Sequence, residues 1–137
     1  MTDRRCFLSH FVLCLAIAGG GFFAYMKGVP QAIYAADESM VTSLIFAAFL
    51  GSAAWLGVSS WRMDSRGVHF GHLATEISVM LGLLGTTIGL SLQAKALIGG
   101  SAAFGPLATS LFATMSGIAA ALALRVMTFN LELGLRK

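Results

Sequence analysis

Carboxylates are scarce in this sequence, and none stands in the middle of an apolar run. Of six acidic residues, Asp37 and Glu38 fall in a polar loop, Glu76 precedes an apolar stretch and Glu132 follows one. A carrier that works by protonating its own buried carboxylate is therefore excluded. Cysteine is also rare. Cys6 and Cys14 both lie in or beside the first apolar run, so no disulfide framework holds the fold, and they read as small packing residues. The two prolines, Pro30 and Pro106, lie between apolar runs, and Pro106 suits the first turn of a helix, where its missing N–H is not needed. There is no Walker-type phosphate loop and no serine, cysteine or metallohydrolase constellation, so neither ATP hydrolysis nor any other enzyme activity is expected. No internal repeat, low-complexity tract or flexible linker divides the chain.

Apolar residues are plentiful. They make up 57% of 137 residues against 11% charged, and the mean hydropathy is +0.82. A water-soluble domain cannot solvate such a surface. Four stretches are each long enough to cross roughly 30 Å of hydrocarbon as a helix of about 20 residues. These are Phe7–Met26, Val41–Trp61, Ile77–Ile98 and Leu107–Met127. The expectation is an all-α integral membrane protein, a single domain over residues 1–137 with four transmembrane helices. Arg4 and Arg5 ahead of the first run also fit a signal peptide, but the run continues through Phe22, Phe23 and Tyr25 without a convincing small-x-small site, so it reads as a retained span.

Four crossings put Arg4, Arg5, Arg62, Arg66, Arg136 and Lys137 on one side, which predicts that both termini are cytoplasmic. The net charge of +3 is thereby explained by topology, and no nucleic-acid partner is expected. Lys27–Met40 and the short Gly99–Gly105 turn become external. Residues 62–76 become a short cytoplasmic segment, read as a membrane-surface turn, because Gly67 and Gly71 weaken a local helix. His69, His72 and Glu76 have a spacing that could place three ligands on one helical face, yet no wider ligand set accompanies them, so no metal site and no cofactor is expected. Arg125 reads as a snorkelling cation, or as the partner of a carboxylate elsewhere in an assembly.

The third run carries the most specific pattern. Thr75, Ser78, Gly82, Gly85, Thr86, Gly89 and Gln93 fall on one helical stripe, and Leu81, Leu84, Ile88 and Leu92 lie away from it. The fourth run repeats the device with Ser110, Thr114, Gly117 and Ala121. Two such stripes can line an intramembrane path, with Thr86 and Thr114 the principal candidates and Thr87 and Ser110 beside them. They can equally be packing faces, in which threonines bond back to their own helix and Gly82, Gly85, Gly89 and Gly117 let helices approach closely.

Gly82-Leu83-Leu84-Gly85-Thr86-Thr87-Ile88-Gly89-Leu90 resembles the G-L-L-G-T-V-x-G-[LIM] signature of the MotA/TolQ/ExbB proton-channel family. Leu107–Ala120, with Phe129-Asn130 downstream, is similar to that family's last helix, and the two motifs come in the right order over roughly residues 77–130. The resemblance implies a homopentamer surrounding two copies of a single-span partner of the MotB/TolR/ExbD kind, whose helix carries the proton-binding Asp, in a bacterial inner membrane. It implies that Thr86 and Thr114 line the path, that Gly85, Gly89, Ala113 and Gly117 let the partner's helices come close, and that proton-motive force moves the partner. Sodium is the other candidate ion, because hydroxyl-lined paths serve either. Two positions depart from the family pattern: Thr109 stands where an acidic residue often opens the last helix, and Ala123 stands near the usual proline. With only residues 62–76 and 131–137 expected outside the membrane at that end, the reading is a minimal motor that works through its partner. The competing readings are a structural or accessory oligomeric membrane protein without ion conduction, and a small proton-coupled exporter, which would need an embedded carboxylate of its own.

Overall fold

In the computed structural model, residues 3–28, 31, 40–99 and 105–136 are described, without the side chains of Asp3, Arg4 and Cys6. The expected external loop around Pro30, Asp37 and Glu38, and most of the 99–105 turn, lie outside the described residues. Four helices make up most of the described residues: α1 spans Asp3–Met26, α2 Val41–Arg62, α3 Arg66–Ile98 and α4 Gly105–Leu135. Each is long and apolar enough to cross a membrane. Their outward faces fit lipid, since Leu8, Phe22, Phe23, Leu50, Met80 and Leu122 are all more than 60% exposed. Such surface is stable only where hydrocarbon covers it.

The helices alternate in direction. Phe7 near the start of α1 meets Trp61 at the end of α2 edge to face, with ring centroids 4.9 Å apart. Gly67 at the start of α3 packs on Ser59 of α2 and Leu131 of α4. One end of the bundle thus gathers Arg5, Arg62, Arg66 and Arg136, and is called the basic end below.

Helix α3 starts at Arg66, eleven residues before the apolar run begins, and α4 continues to Leu135. The expected surface turn over residues 62–76 therefore shrinks to Met63–Ser65. Two local features account for this. Met63 adopts a left-handed conformation at φ 52° and closes α2, with its N–H donating to the Ser59 carbonyl. Asp64 then accepts the Arg66 N–H on its carboxylate at 2.9 Å and the Gly67 N–H on its carbonyl at 3.1 Å, satisfying donors that the first turn of α3 would leave open. Gly67 and Gly71 do not break the helix, because both sit where a side chain would collide. A Cβ at Gly71 would run into Thr128. Packing against α4 outweighs the intrinsic cost of glycine, about 1 kcal/mol per residue.

The interior divides along the bundle. Toward the basic end, Leu56, Ala74, Leu124, Met127 and Leu131 form one cluster, flanked by Leu13, Cys14 and Ile17 of α1. Toward the other end, Val41, Ile45, Ala113 and Ala120 form a second. Helix α3 contributes mostly Gly67, Gly71, Gly82, Gly85 and Gly89 to its buried side, so it lies very close to α4. Helix α1 touches α2 and α4 and is the least buried of the four.

Candidate ion path along the seam between α3 and α4

Close approach begins at two glycines. A Cβ on Gly117 would lie 2.7 Å from the Gly82 Cα and 2.7 Å from the Ser78 carbonyl oxygen, so the two backbones meet with nothing between them. Further from the basic end, Gly85 faces Ala113 and Val41, and a Cβ on Gly89 would lie 2.6 Å from the Ser110 Cβ. Lipid offers no hydrophobic drive for helices to associate, and dispersion contacts at this range are the main attraction available.

That approach brings Thr86 and Thr114 together. Their hydroxyls are hydrogen-bonded to each other across the seam. Each is also within bonding distance of a carbonyl on its own helix, Thr86 with Gly82 at 3.0 Å and Thr114 with Ser110 at 2.8 Å. A hydroxyl has one hydrogen, so both cannot donate backward and also bond each other. Either Thr86 donates to Thr114, which donates to the Ser110 carbonyl, or Thr114 donates to Thr86, which donates to the Gly82 carbonyl. The pair is a short chain whose direction reverses by turning two O–H bonds.

Other candidates fall elsewhere. Ser110 is buried one turn from Thr114, with its hydroxyl donating to the Leu107 carbonyl at 2.8 Å. Thr87 is exposed and donates to Leu84 at 2.8 Å, so it is not brought into the seam. Thr75 and Ser78 bond back to Gly71 and Ala74, each at 2.8 Å. Gly82, Gly85, Gly89 and Gly117 all face helices of their own chain. Gly85, Gly89, Ala113 and Gly117 are thus buried against helices of their own chain.

The threonine pair occupies a definite side of the seam. Gly85 and Ala113 face each other and pack with Val41 of α2. One residue further along each helix is a rotation of about 100°. Thr86 and Thr114 therefore flank the seam on the side turned away from α2, where both are half-buried. Leu83, Leu90, Leu111 and Ile118 surround them, all exposed.

Described carboxylates stay away from the pair. Asp64, Glu76 and Glu132 sit toward the basic end. Among the described residues no three His, Cys, Asp or Glu side chains converge to hold a metal ion. His69 and Glu76 are exposed, while His72 turns to α4 and bonds Glu132 and Arg125.

Two polar features were not anticipated. His10, only 3% exposed within α1, is hydrogen-bonded to the backbone of Ala53, and Gly57 lies under its ring. Its Nδ1 has no partner. A polar residue in an apolar run opposite small residues of α2 was the available signal. The other is the His72 cluster, signalled by Arg125 and Glu132 standing two turns apart on one face of α4. Compared with protein-family models, curated proteins and solved structures, the chain finds no match in any of the three.

Proposed function

We propose that this chain is the proton-conducting subunit of an ion-driven membrane motor, assembled as a homopentamer around two copies of a single-span partner whose helix carries the proton-binding Asp. One observation carries the proposal: the Thr86–Thr114 hydroxyl chain, half-open on the lipid side of the seam, with no described carboxylate beside it. Hydroxyls can hand on a proton but do not hold one near neutral pH. A titratable group must then come from outside the chain, and the flank of the pair offers it a place. A membrane potential would drive protons on and off that group, and the work would be delivered through the partner. The cytoplasmic side is assigned to the basic end by the excess of arginine there.

A purely structural membrane role is favoured by a different observation, that the glycines are all consumed in contacts within the chain. It predicts that losing the hydroxyls affects packing alone. The deciding experiment is proton uptake into liposomes under an imposed potential, with the chain alone, with its candidate single-span partner, and with Thr86→Ala or Thr114→Ala in the complex. Partner-dependent flux that falls at least about tenfold in assembled variants, equivalent to about 1.4 kcal/mol on the barrier, supports the motor. No flux with partner bound, or flux indifferent to both substitutions, refutes it.

A further inference from the structure

His72 of α3 is held between two charged groups of α4. Its Nε2 lies 2.7 Å from the Glu132 carboxylate and its Nδ1 lies 2.9 Å from the Arg125 guanidinium. Arginine donates only and carboxylate accepts only. Nδ1 must therefore present its lone pair to Arg125, while Nε2 carries the hydrogen and donates it to Glu132. The contacts define one protonation state, a neutral imidazole with its hydrogen on Nε2. Arg125 and Glu132 are seven residues apart, two turns of α4, so this single ring ties α3 to α4 at two heights.

We infer that Arg125, His72 and Glu132 form a proton-binding latch at the basic end of the α3–α4 pair, independent of the ion path proposed above. A proton from water binds the Nδ1 lone pair, and the Arg125 hydrogen bond to that lone pair breaks. The Nε2–H bond to Glu132 persists and becomes an ion pair. Arg125 is then repelled by the imidazolium and returns to water or lipid phosphates. Two ties become one, and α4 between Arg125 and Glu132 loses a point of attachment. From α4 the ring faces Arg125 and Glu132. On its own helix, His69 and Glu76 are exposed about one turn away on either side. On the α2 side, Arg62 is exposed and Asp64 is engaged by the Arg66 N–H.

The test uses the full chain in lipid bilayers with ¹⁵N-labelled histidine rings, following the His72 ring-nitrogen signals against pH, with their assignment fixed by loss in His72→Gln. The expected result is the Nε2–H form at high pH and double protonation on acidification, with Arg125 side-chain signals becoming mobile at the same midpoint. An Nδ1–H form at high pH, or an Arg125 whose side-chain signals do not change when the ring is protonated, overturns the latch. The wild-type spectra decide the matter even where a variant fails to fold.

Discussion

Gly117→Ala adds one methyl group at the tightest point of the seam, and its effect can be worked from the contacts. The new Cβ would stand 2.7 Å from the Gly82 Cα, 2.7 Å from the Ser78 oxygen and 3.1 Å from the Gly82 nitrogen. Carbon atoms pack best at about 3.5–4.0 Å, so roughly 1 Å of relief is needed. Every obstructing atom is backbone, and no side chain can rotate away. The helices must separate, which also loosens Thr86 from Thr114 one turn along. Overpacking of this kind costs about 1–3 kcal/mol, offset by about 1 kcal/mol of better helix propensity for alanine. The expected net loss is up to about 2 kcal/mol, and about 1–3 kcal/mol relative to a glycine-to-alanine change that meets no obstruction, read as earlier unfolding in rising detergent. Gly20→Ala is the matched control, because nothing lies within 4 Å of the position and only the propensity gain remains. If Gly117→Ala proves as stable as Gly20→Ala, the claim that backbone contact holds the seam is wrong.

Asp64→Ala removes the carboxylate that accepts the Arg66 N–H, and is expected to cost about 1 kcal/mol, seen as faster amide exchange confined to the first turn of α3. Unchanged exchange there would show that packing of Gly67 and Gly71 alone fixes the helix start. His10→Leu removes both the bond to Ala53 and the buried nitrogen that lacks a partner, two effects of opposite sign, so stability should change by less than about 1 kcal/mol. A loss of several kcal/mol in the same detergent titration would mean that the imidazole has a second partner.

Hydropathy made the four helices legible because the spans depend on length and apolarity, both of which are local. The start of α3 and the end of α4 are not legible in the sequence, because they are fixed by contacts between segments distant in sequence: Gly67 with Ser59 and Leu131, Gly71 with Thr128. A glycine read alone weakens a helix; facing another helix, it is the residue that lets the helix stand there. The juxtaposition of Thr86 and Thr114 was half legible. Each could be placed on a small-residue face, but periodicity does not say which residue of one face meets which of the other. The partners of His72 are not legible for a related reason. Its spacing to His69 and Glu76 lay along one helix, whereas its bonded partners, Arg125 and Glu132, lie on another.

The packing and channel readings of the small-residue stripes are not exclusive, and the geometry orders them. Contact of Gly82 with Gly117 comes first, since it brings the backbones near enough for the two hydroxyls to meet. The stripe itself is then spent, so in the proposed motor the partner's helix would lie along the flank formed by Leu83, Leu90, Leu111 and Ile118, with Thr86 and Thr114 at its centre. That is an apolar surface with one polar break, suited to a helix that is apolar except for a single carboxylate. An Asp brought to the break would find the hydroxyl pair able to turn an O–H toward it, whereas a carboxylate one turn away would face only leucine and isoleucine in hydrocarbon, at a cost of several kcal/mol. On this reading, the polar break fixes the register at which a partner can dock, and a Thr86→Val/Thr114→Val pair would remove that register while leaving the glycine contact intact.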